Sequence, residues 1–299
     1  AIIDDANTDP ALRKKQICEW VFNIKAEVYT DLSKLPETQV VFATSWQTAY
    51  YANTFLSTKH KLYFVQDFEP WFYSVGSEYA FAENTYKMGF HAVTAGGWLA
   101  NKLSETYGMK TSSLSFSYEK DLYIKTKKNQ PDVKHIFFYA RPPTTRRAFE
   151  LGLLVLNEVV KQLPTVKVIF AGWDVSSYNI PFEHLNAGTL SLEELPDLYS
   201  QCDAALVLSF TNLSLLPIEL MACGVPVVSN SGPWVEWLLT NENTILAEPT
   251  VEELSAALVS VLSDKKLHTK IVDAGINFAN TTNWEVEHDK LYSIIKKYE

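Results

Sequence analysis

Ser209-Phe-Thr-Asn-Leu-Ser-Leu-Leu-Pro-Ile-Glu219-Leu-Met-Ala-Cys-Gly224-Val-Pro-Val-Val-Ser-Asn230 follows the short apolar run Ala204-Ala-Leu-Val-Leu208. The apolar run reads as a buried strand over 204–208 and the polar residues 209–214 as a loop. A helix over 215–223 follows, stopped by Gly224 and Pro226. Glu219 then falls in the first turns of a helix that begins after a buried strand. Free amide N–H groups at a helix start suit phosphate oxygens, and a nearby carboxylate can accept both hydroxyls of a ribose or sugar diol. That is the chemistry of a nucleotide-sugar site. Taken by itself, Glu219 reads equally well as a helix-dipole carboxylate, because acids are favoured in first turns.

The same alternation continues on both sides. Strands are expected over 135–139, 167–171, 184–187 and 226–229, with helices over 146–163 and 192–202. Strands alternating with helices imply a parallel sheet. Phe149, Leu153, Leu156, Val160 and Leu163 repeat at helical spacing, as do Val251, Leu254, Leu258 and Val261, so each helix has one face to lay on that sheet. The first part of the chain alternates too, with strands over 40–43, 62–66 and 92–95 and helices over 46–56, 78–88 and 98–107. Between the halves, residues 123–132 form a lysine-rich polar run ending near Pro131, a helix breaker. The expected organisation is an α/β protein with two doubly wound, Rossmann-like domains, 1–130 and 131–282. A closing helix over 283–299, anchored by Trp284, returns to the first domain. Two such domains leave a cleft, and ligands of open α/β sheets bind beyond the carboxyl ends of the strands.

A chain of 299 residues with 47% hydrophobic and 20% charged residues is long enough for two cores. No apolar run reaches the ~18–20 residues of a membrane span, and no signal-type start is seen, so a cytoplasmic protein is expected. The net charge of −9 argues against nucleic acid as the main partner. Cys18, Cys202 and Cys223 are scattered and odd in number, which fits buried free thiols rather than disulfides or a metal site. The six histidines show no paired spacing, so neither a metal nor a Ser-His-Asp triad is expected, and no cofactor is called for.

Several polar clusters follow the expected strands. Tyr139-Ala-Arg-Pro-Pro-Thr-Thr-Arg-Arg-Ala-Phe149 puts Arg141 at a strand end and Arg146 and Arg147 at the next helix start. Cations there oppose the helix dipole and so point to an anion, a diphosphate gripped by guanidinium forks being one fit and a solvated Pro-rich turn the other. Gly172 in Phe170-Ala-Gly172-Trp-Asp, and Thr189 in Gly188-Thr-Leu190, sit in turns where backbone could meet a ligand or simply reverse the chain. Asp67 and Glu69 in Gln66-Asp67-Phe-Glu69-Pro would face the cleft, as a base or orienting group for an acceptor hydroxyl or as structural carboxylates. Trp71, Phe72 and Tyr73 form a sugar-stacking platform or part of the core.

Arg141 and Arg146 five apart, Phe170-Ala-Gly172, the segment 188–199 and Leu216-Pro-Ile-Glu219-Leu-Met-Ala-Cys-Gly224-Val-Pro-Val-Val together resemble the donor-binding domain of retaining GT-B glycosyltransferases of the family-four type, over residues 134–280. Tyr63-Phe-Val-Gln-Asp67-Phe-Glu69-Pro-Trp-Phe-Tyr73 and Ala82-Glu-Asn-Thr-Tyr86 are similar to the WsaF-type rhamnosyltransferases of bacterial rhamnan synthesis, which extends the resemblance to most of the chain. The resemblance implies that Glu219 holds the nucleotide ribose, that Arg141 and Arg146 bind the diphosphate without metal, and that backbone amides of Leu213, Ser214 and Leu215 meet the phosphates. Arg147 receives no role from it.

Two departures matter. The first glutamate of the family's paired motif falls at Thr211, and Ser214 stands where glycine is common. Thr211 cannot clasp a sugar diol as a carboxylate does, which is compatible with a 6-deoxy sugar such as rhamnose. The chain also starts at Ala1 without the architecture's opening strand and glycine-rich loop. The first domain is therefore expected to be shortened, and the chain to be a fragment or module of a longer protein.

The resemblance thus implies a glycosyltransferase moving L-rhamnose from dTDP-rhamnose to an oligosaccharide or lipid-linked saccharide acceptor with retention, in cell-surface polysaccharide synthesis. Peripheral contact with the inner membrane face is compatible with this role. The alternatives are a non-catalytic GT-B module within an assembly complex and a sugar-nucleotide epimerase.

Overall fold

The computed structural model describes residues 10–20, 27–29, 31–130 and 132–298; Ala1, Pro131 and the side chain of Cys18 lie outside the described residues. Among those described, two parallel sheets stand in sequence order. The first joins β1 (Thr38–Ala43), β2 (Thr58–Val65), β3 (His91–Ala95) and β4 (Lys110–Leu114) as consecutive neighbours. It carries α2 (Trp46–Thr54), α3 (Ser77–Thr85) and α4 (Gly97–Tyr107), while α1 (Pro10–Trp20) precedes it. Ser45 and Thr48 start α2 with a reciprocal capping box.

The second sheet holds β5 (His135–Tyr139), β6 (Lys167–Ala171), β7 (His184–Gly188), β8 (Ala204–Val207), β9 (Val227–Asn230) and β10 (Ile245–Ala247), in the order β10-β9-β8-β5-β6-β7. The winding reverses between β5 and β8, so the crevice of this doubly wound sheet opens above those two strands. Its helices are α5 (Phe149–Gln162), α6 (Leu195–Ser200), α7 (Leu216–Ala222), α8 (Pro233–Glu236), α9 (Val251–Ser263) and α10 (Lys265–Thr281). All four residues of β8 and of β9 are buried, as expected of central parallel strands covered on both faces.

The chain's last helix, α11 (Trp284–Lys296), lies against the first sheet. Ile294 packs with Leu62 and Val93, and Glu287 Oε2 accepts the Ser115 amide at 2.8 Å. The Tyr298 hydroxyl lies 2.6 Å from His91 Nδ1. Trp284, expected as the anchor, instead lines the cleft.

Other expectations are corrected locally. The helix expected from 146 begins at Phe149, because Thr145–Arg147 form a short 3-10 turn and Ala148 takes a left-handed conformation with φ 48°. The stripe of α5 is Phe149, Gly152, Val155, Leu156 and Val159, with Leu153, Val160 and Leu163 at its half-buried margin. A Cβ on Gly152 would lie 2.1 Å from the Phe138 ring, so glycine here permits close approach of α5 to β5. Pro196 sets a later start for α6 than the expected 192. The strands β4 and β10 escaped sequence reading, β4 for its polar Lys-Thr-Ser-Ser content and β10 for its three-residue length. Cys202 and Cys223 are buried free thiols. Among the described residues, no helix is long and apolar enough to cross a membrane.

Candidate functional site

The two loops that leave β5 and β8 meet above the crevice. The Phe210 amide donates to the Arg146 carbonyl at 2.9 Å, and Arg147 Nη1 donates to Ser209 Oγ at 2.7 Å. Ser209 is fixed further by Asn230, whose Oδ1 accepts the Ser209 amide at 2.9 Å while its Nδ2 donates to the Ser209 carbonyl at 2.8 Å. Trp234 Nε1 donates to the same carbonyl at 2.7 Å.

A cavity of about 440 Å³ opens beside these loops. Arg141, Arg146 and Arg147 stand on one side, Ser214, Leu215 and Glu219 at the start of α7 on another, and Tyr123, Tyr139 and Tyr199 add aromatic walls. Burial pushes the Glu219 carboxyl up to about 7, with the Tyr123 hydroxyl beside it pulling the other way. Such a carboxyl gains its charge most readily when a donor pair arrives to share it. Burial lowers the Arg146 and Arg147 guanidinium groups, against which the charge of Asp67 acts.

A second cavity, of about 580 Å³, lies between the two sheets and shares Arg146, Arg147, Ser214 and Leu215 with the first. Its other walls include the aromatic rings of Trp46, Phe64, Phe72, Tyr73, Phe116 and Trp284 among polar side chains such as Thr44, Gln47 and Gln66. Trp46 Nε1 donates to the Tyr73 hydroxyl at 3.0 Å, and the Arg146 guanidinium sits 3.8 Å from the centre of the Phe72 ring. Of the three aromatics considered as a platform, Phe72 and Tyr73 face this space, whereas Trp71 packs with Phe68, Trp98 and Trp234.

Both carboxylates expected at the cleft line this second cavity, and both are deeply engaged. Asp67 is 7% exposed, accepting from the Asn212 amide and the Thr211 hydroxyl at 2.8 Å each and from its neighbour Phe68's amide at 2.7 Å. Glu69 accepts from the Tyr63 hydroxyl and from the Trp46 amide at the start of α2, both at 2.7 Å. Burial raises the pKa of each, opposed by these hydrogen bonds.

The structure brings together Asp67, Glu69, Arg141, Arg146, Leu213, Ser214, Leu215 and Glu219 in the two joined cavities. Three expected residues lie apart. Thr211 is 1% exposed and lines neither cavity, its hydroxyl pointing to Asp67. Gly172, with φ 101°, acts through a neighbour: a Cβ there would lie 2.3 Å from the Tyr139 ring that walls the first cavity. Thr189 is exposed and lines neither cavity. Asn212 and Tyr123 were not singled out for the site by sequence reading, whereas Arg147, read with Arg141 and Arg146 as a cation that points to an anion, lines both cavities.

Two α/β domains with parallel sheets, facing each other across a cleft whose basic loops rise at the switch point of the second sheet, define the GT-B class of fold. Within that class the chain belongs to the WsaF family: residues 12–95 match its N-terminal domain and residues 134–259 its C-terminal domain. It is 35% identical over 266 residues to the O-antigen biosynthesis protein RfbC of Myxococcus xanthus, covering 87% of this chain and 21% of that protein. The chain thus spans about a fifth of the length of this relative. Among solved structures, HepE of Anabaena in complex with UDP-glucose superposes with a TM-score of 0.73 at 14% identity, over 87% of this chain and 79% of that one. Sucrose-phosphate synthase of Thermosynechococcus elongatus superposes with a TM-score of 0.72 at 17% identity, over 87% and 73%.

Proposed function

We propose that the chain transfers a sugar from a nucleoside diphosphate donor to a hydroxyl of a saccharide acceptor, in the synthesis of a bacterial cell-surface polysaccharide. The observation that carries this reading is the junction of the two cavities. A basic pocket with a raised-pKa carboxyl opens at Arg146, Ser214 and Leu215 into an aromatic one. In this reading Glu219 accepts the ribose hydroxyls, Arg141 and Arg146 take the diphosphate with the amides of residues 213–215, and the acceptor sugar lies among Trp46, Tyr73 and Trp284. The bond from the sugar's anomeric carbon to the diphosphate oxygen breaks, the acceptor oxygen takes its place, and the acceptor's proton passes to the departing diphosphate oxygen. The physical work of the arginines is to stabilise the charge that develops on the leaving diphosphate.

We further propose that transfer retains anomeric configuration, that the sugar is L-rhamnose carried by dTDP, and that the protein works in the cytoplasm at the inner membrane face. Residues 1–130 then serve the acceptor side, 131–282 the donor side, and 283–299 couples the two. A dTDP-sugar competes here with a UDP-sugar, the kind of ligand bound in the HepE structure. Calorimetric titration with dTDP, UDP and GDP, repeated on Glu219→Ala, tests the reading. Selective binding of one nucleotide, weakened in the variant, supports the donor site and identifies the base. No binding to any of them favours a scaffold module, a reading to which Thr211 in place of a carboxylate lends support.

A further inference from the structure

The loop after β8 is held from both domains. Arg147 braces it from within its own domain through Ser209, whose hydroxyl in turn donates to the Thr211 carbonyl at 2.9 Å. From across the cleft, Asp67 accepts the Thr211 hydroxyl and the Asn212 amide. The Asn212 side chain plugs the other way, its Nδ2 donating to the carbonyls of Gln66 at 2.9 Å and Ala95 at 2.7 Å, at the ends of β2 and β3. Thr211 and Asn212 are each 1% exposed. The next residues, Leu213 to Leu215, turn into the junction of the cavities. Arg146 is held by the same domain, stacked on Phe72, with Nε 3.7 Å from Asp67 Oδ2 and no hydrogen-bond partner for that buried Nε.

We propose that Asp67 is a positioning residue rather than a general base: by clasping Thr211 and Asn212 across the cleft it sets the turn 213–215 and Arg146 in the geometry that grips the diphosphate. Nucleotide affinity therefore depends on a carboxylate of the acceptor-side domain that does not itself touch the nucleotide. Three hydrogen bonds already engage the carboxylate: Oδ1 accepts the Asn212 and Phe68 amides and Oδ2 the Thr211 hydroxyl, with Arg146 Nε 3.7 Å from Oδ2, so the group is committed to holding the opposite domain. The proposal rests on the donor-site reading above.

The test is calorimetric titration of the full chain, without acceptor, using the nucleoside diphosphate that wild type binds. The variants are Asp67→Ala, Asp67→Asn and Thr211→Val, with transfer rates measured in parallel. Loss of hydrogen bonds to a charged group corresponds to roughly 10- to 100-fold, so Asp67→Ala is expected to weaken nucleotide binding by about that factor. Asp67→Asn still accepts the Asn212 amide, and the Thr211 hydroxyl can rotate to accept from the new amide. It gives up the charge that faces Arg146, so it is expected to bind nucleotide more weakly than wild type but better than Asp67→Ala, with turnover falling by no more than roughly tenfold. Thr211→Val, which leaves the carboxylate in place, is expected to weaken binding by roughly three- to tenfold. A general base would behave oppositely: Asp67→Asn would lose ~10²- to 10⁴-fold in turnover while all three variants bound nucleotide normally. That pattern overturns the proposal, as does wild-type affinity in Thr211→Val should Asp67→Ala not fold. Absence of nucleotide binding in wild type itself would instead mark failure of the donor-site reading, and the proposal would fall with it.

Discussion

The two cavities that meet at Arg146 are built by opposite means. The one beside β5 and β8 is walled by three arginines and a carboxyl raised to about 7, on loops whose places follow from the switch point of a doubly wound sheet. The one between the sheets is walled by aromatic rings, and its carboxylates are already bound to backbone and hydroxyl donors. Phosphates demand fixed positive charge and directed N–H groups, whereas a sugar ring presents an apolar face that suits an indole or phenol. The difference is one of balance: the first half adds Arg141 and Glu219 to three tyrosines, the second sets six aromatic rings beside its two engaged carboxylates, and Arg146 and Arg147 belong to both.

The sharpest way to break this contrast is Arg146→Ala. If the guanidinium stabilises charge that builds on the leaving group, turnover falls ~10²- to 10³-fold while nucleotide affinity falls by less. Steady-state kinetics beside calorimetry checks this, and equal losses in both would reduce Arg146 to a binding group. Glu219→Ala comes next, with nucleotide binding weakened by roughly 10- to 100-fold and the acceptor KM unchanged.

The same carboxyl predicts a pH dependence. Burial raises its pKa to about 7 from 4.5; if ribose hydroxyls favour the charged form, nucleotide affinity rises with pH through about 7 and binding releases protons. Titrations in buffers of different ionisation enthalpy read that release, and a flat profile in wild type would remove Glu219 from the ribose. The stability consequence has the opposite sign. Because the folded pKa is raised, the contribution is fully present below about 4.5 and is lost as pH rises through about 7.

On the aromatic side, Trp284→Ala is expected to raise the acceptor KM by roughly two- to tenfold and leave nucleotide binding intact. A change in nucleotide affinity instead would mean that the two cavities are not separable at that wall. The smallest effect is expected at Ala148, which among the described residues is the one non-glycine with positive φ. Ala148→Gly relieves a left-handed strain of ~1 kcal/mol at most, so the thermal midpoint should rise slightly. A fall in midpoint would show that packing of the Ala148 methyl outweighs the strain.

Much of the second domain was legible in the sequence, because apolar runs and helical stripes are local. β5, β6 and β8 lie within a residue of their expected bounds, and the α9 stripe of Leu254, Leu258 and Val261 is buried as read. The start of α5 was misplaced because nothing in Thr-Thr-Arg-Arg-Ala announces a 3-10 turn followed by a left-handed alanine. In the candidate site, Arg141, Arg146 and Glu219 could be picked out by charge at a strand end or helix start. Asn212 could not, since an asparagine in a polar loop reads as turn chemistry until its partners at Gln66 and Ala95 are known.

By itself the sequence determined the alternation of strands and helices, the parallel character of both sheets, and the arginine and glutamate groups that line the crevice of the second sheet. These are properties of neighbours in the chain, carried by periodicity and by the residue types that start and stop elements. Only the tertiary structure decided that Asp67 faces Thr211 and Asn212, that Arg147 braces Ser209, and that Trp284 walls a cavity instead of anchoring its helix. The Asp67 contacts join residues 144 and 145 positions apart. No local pattern encodes such a pairing, because it exists only once two independently formed sheets have been laid against each other.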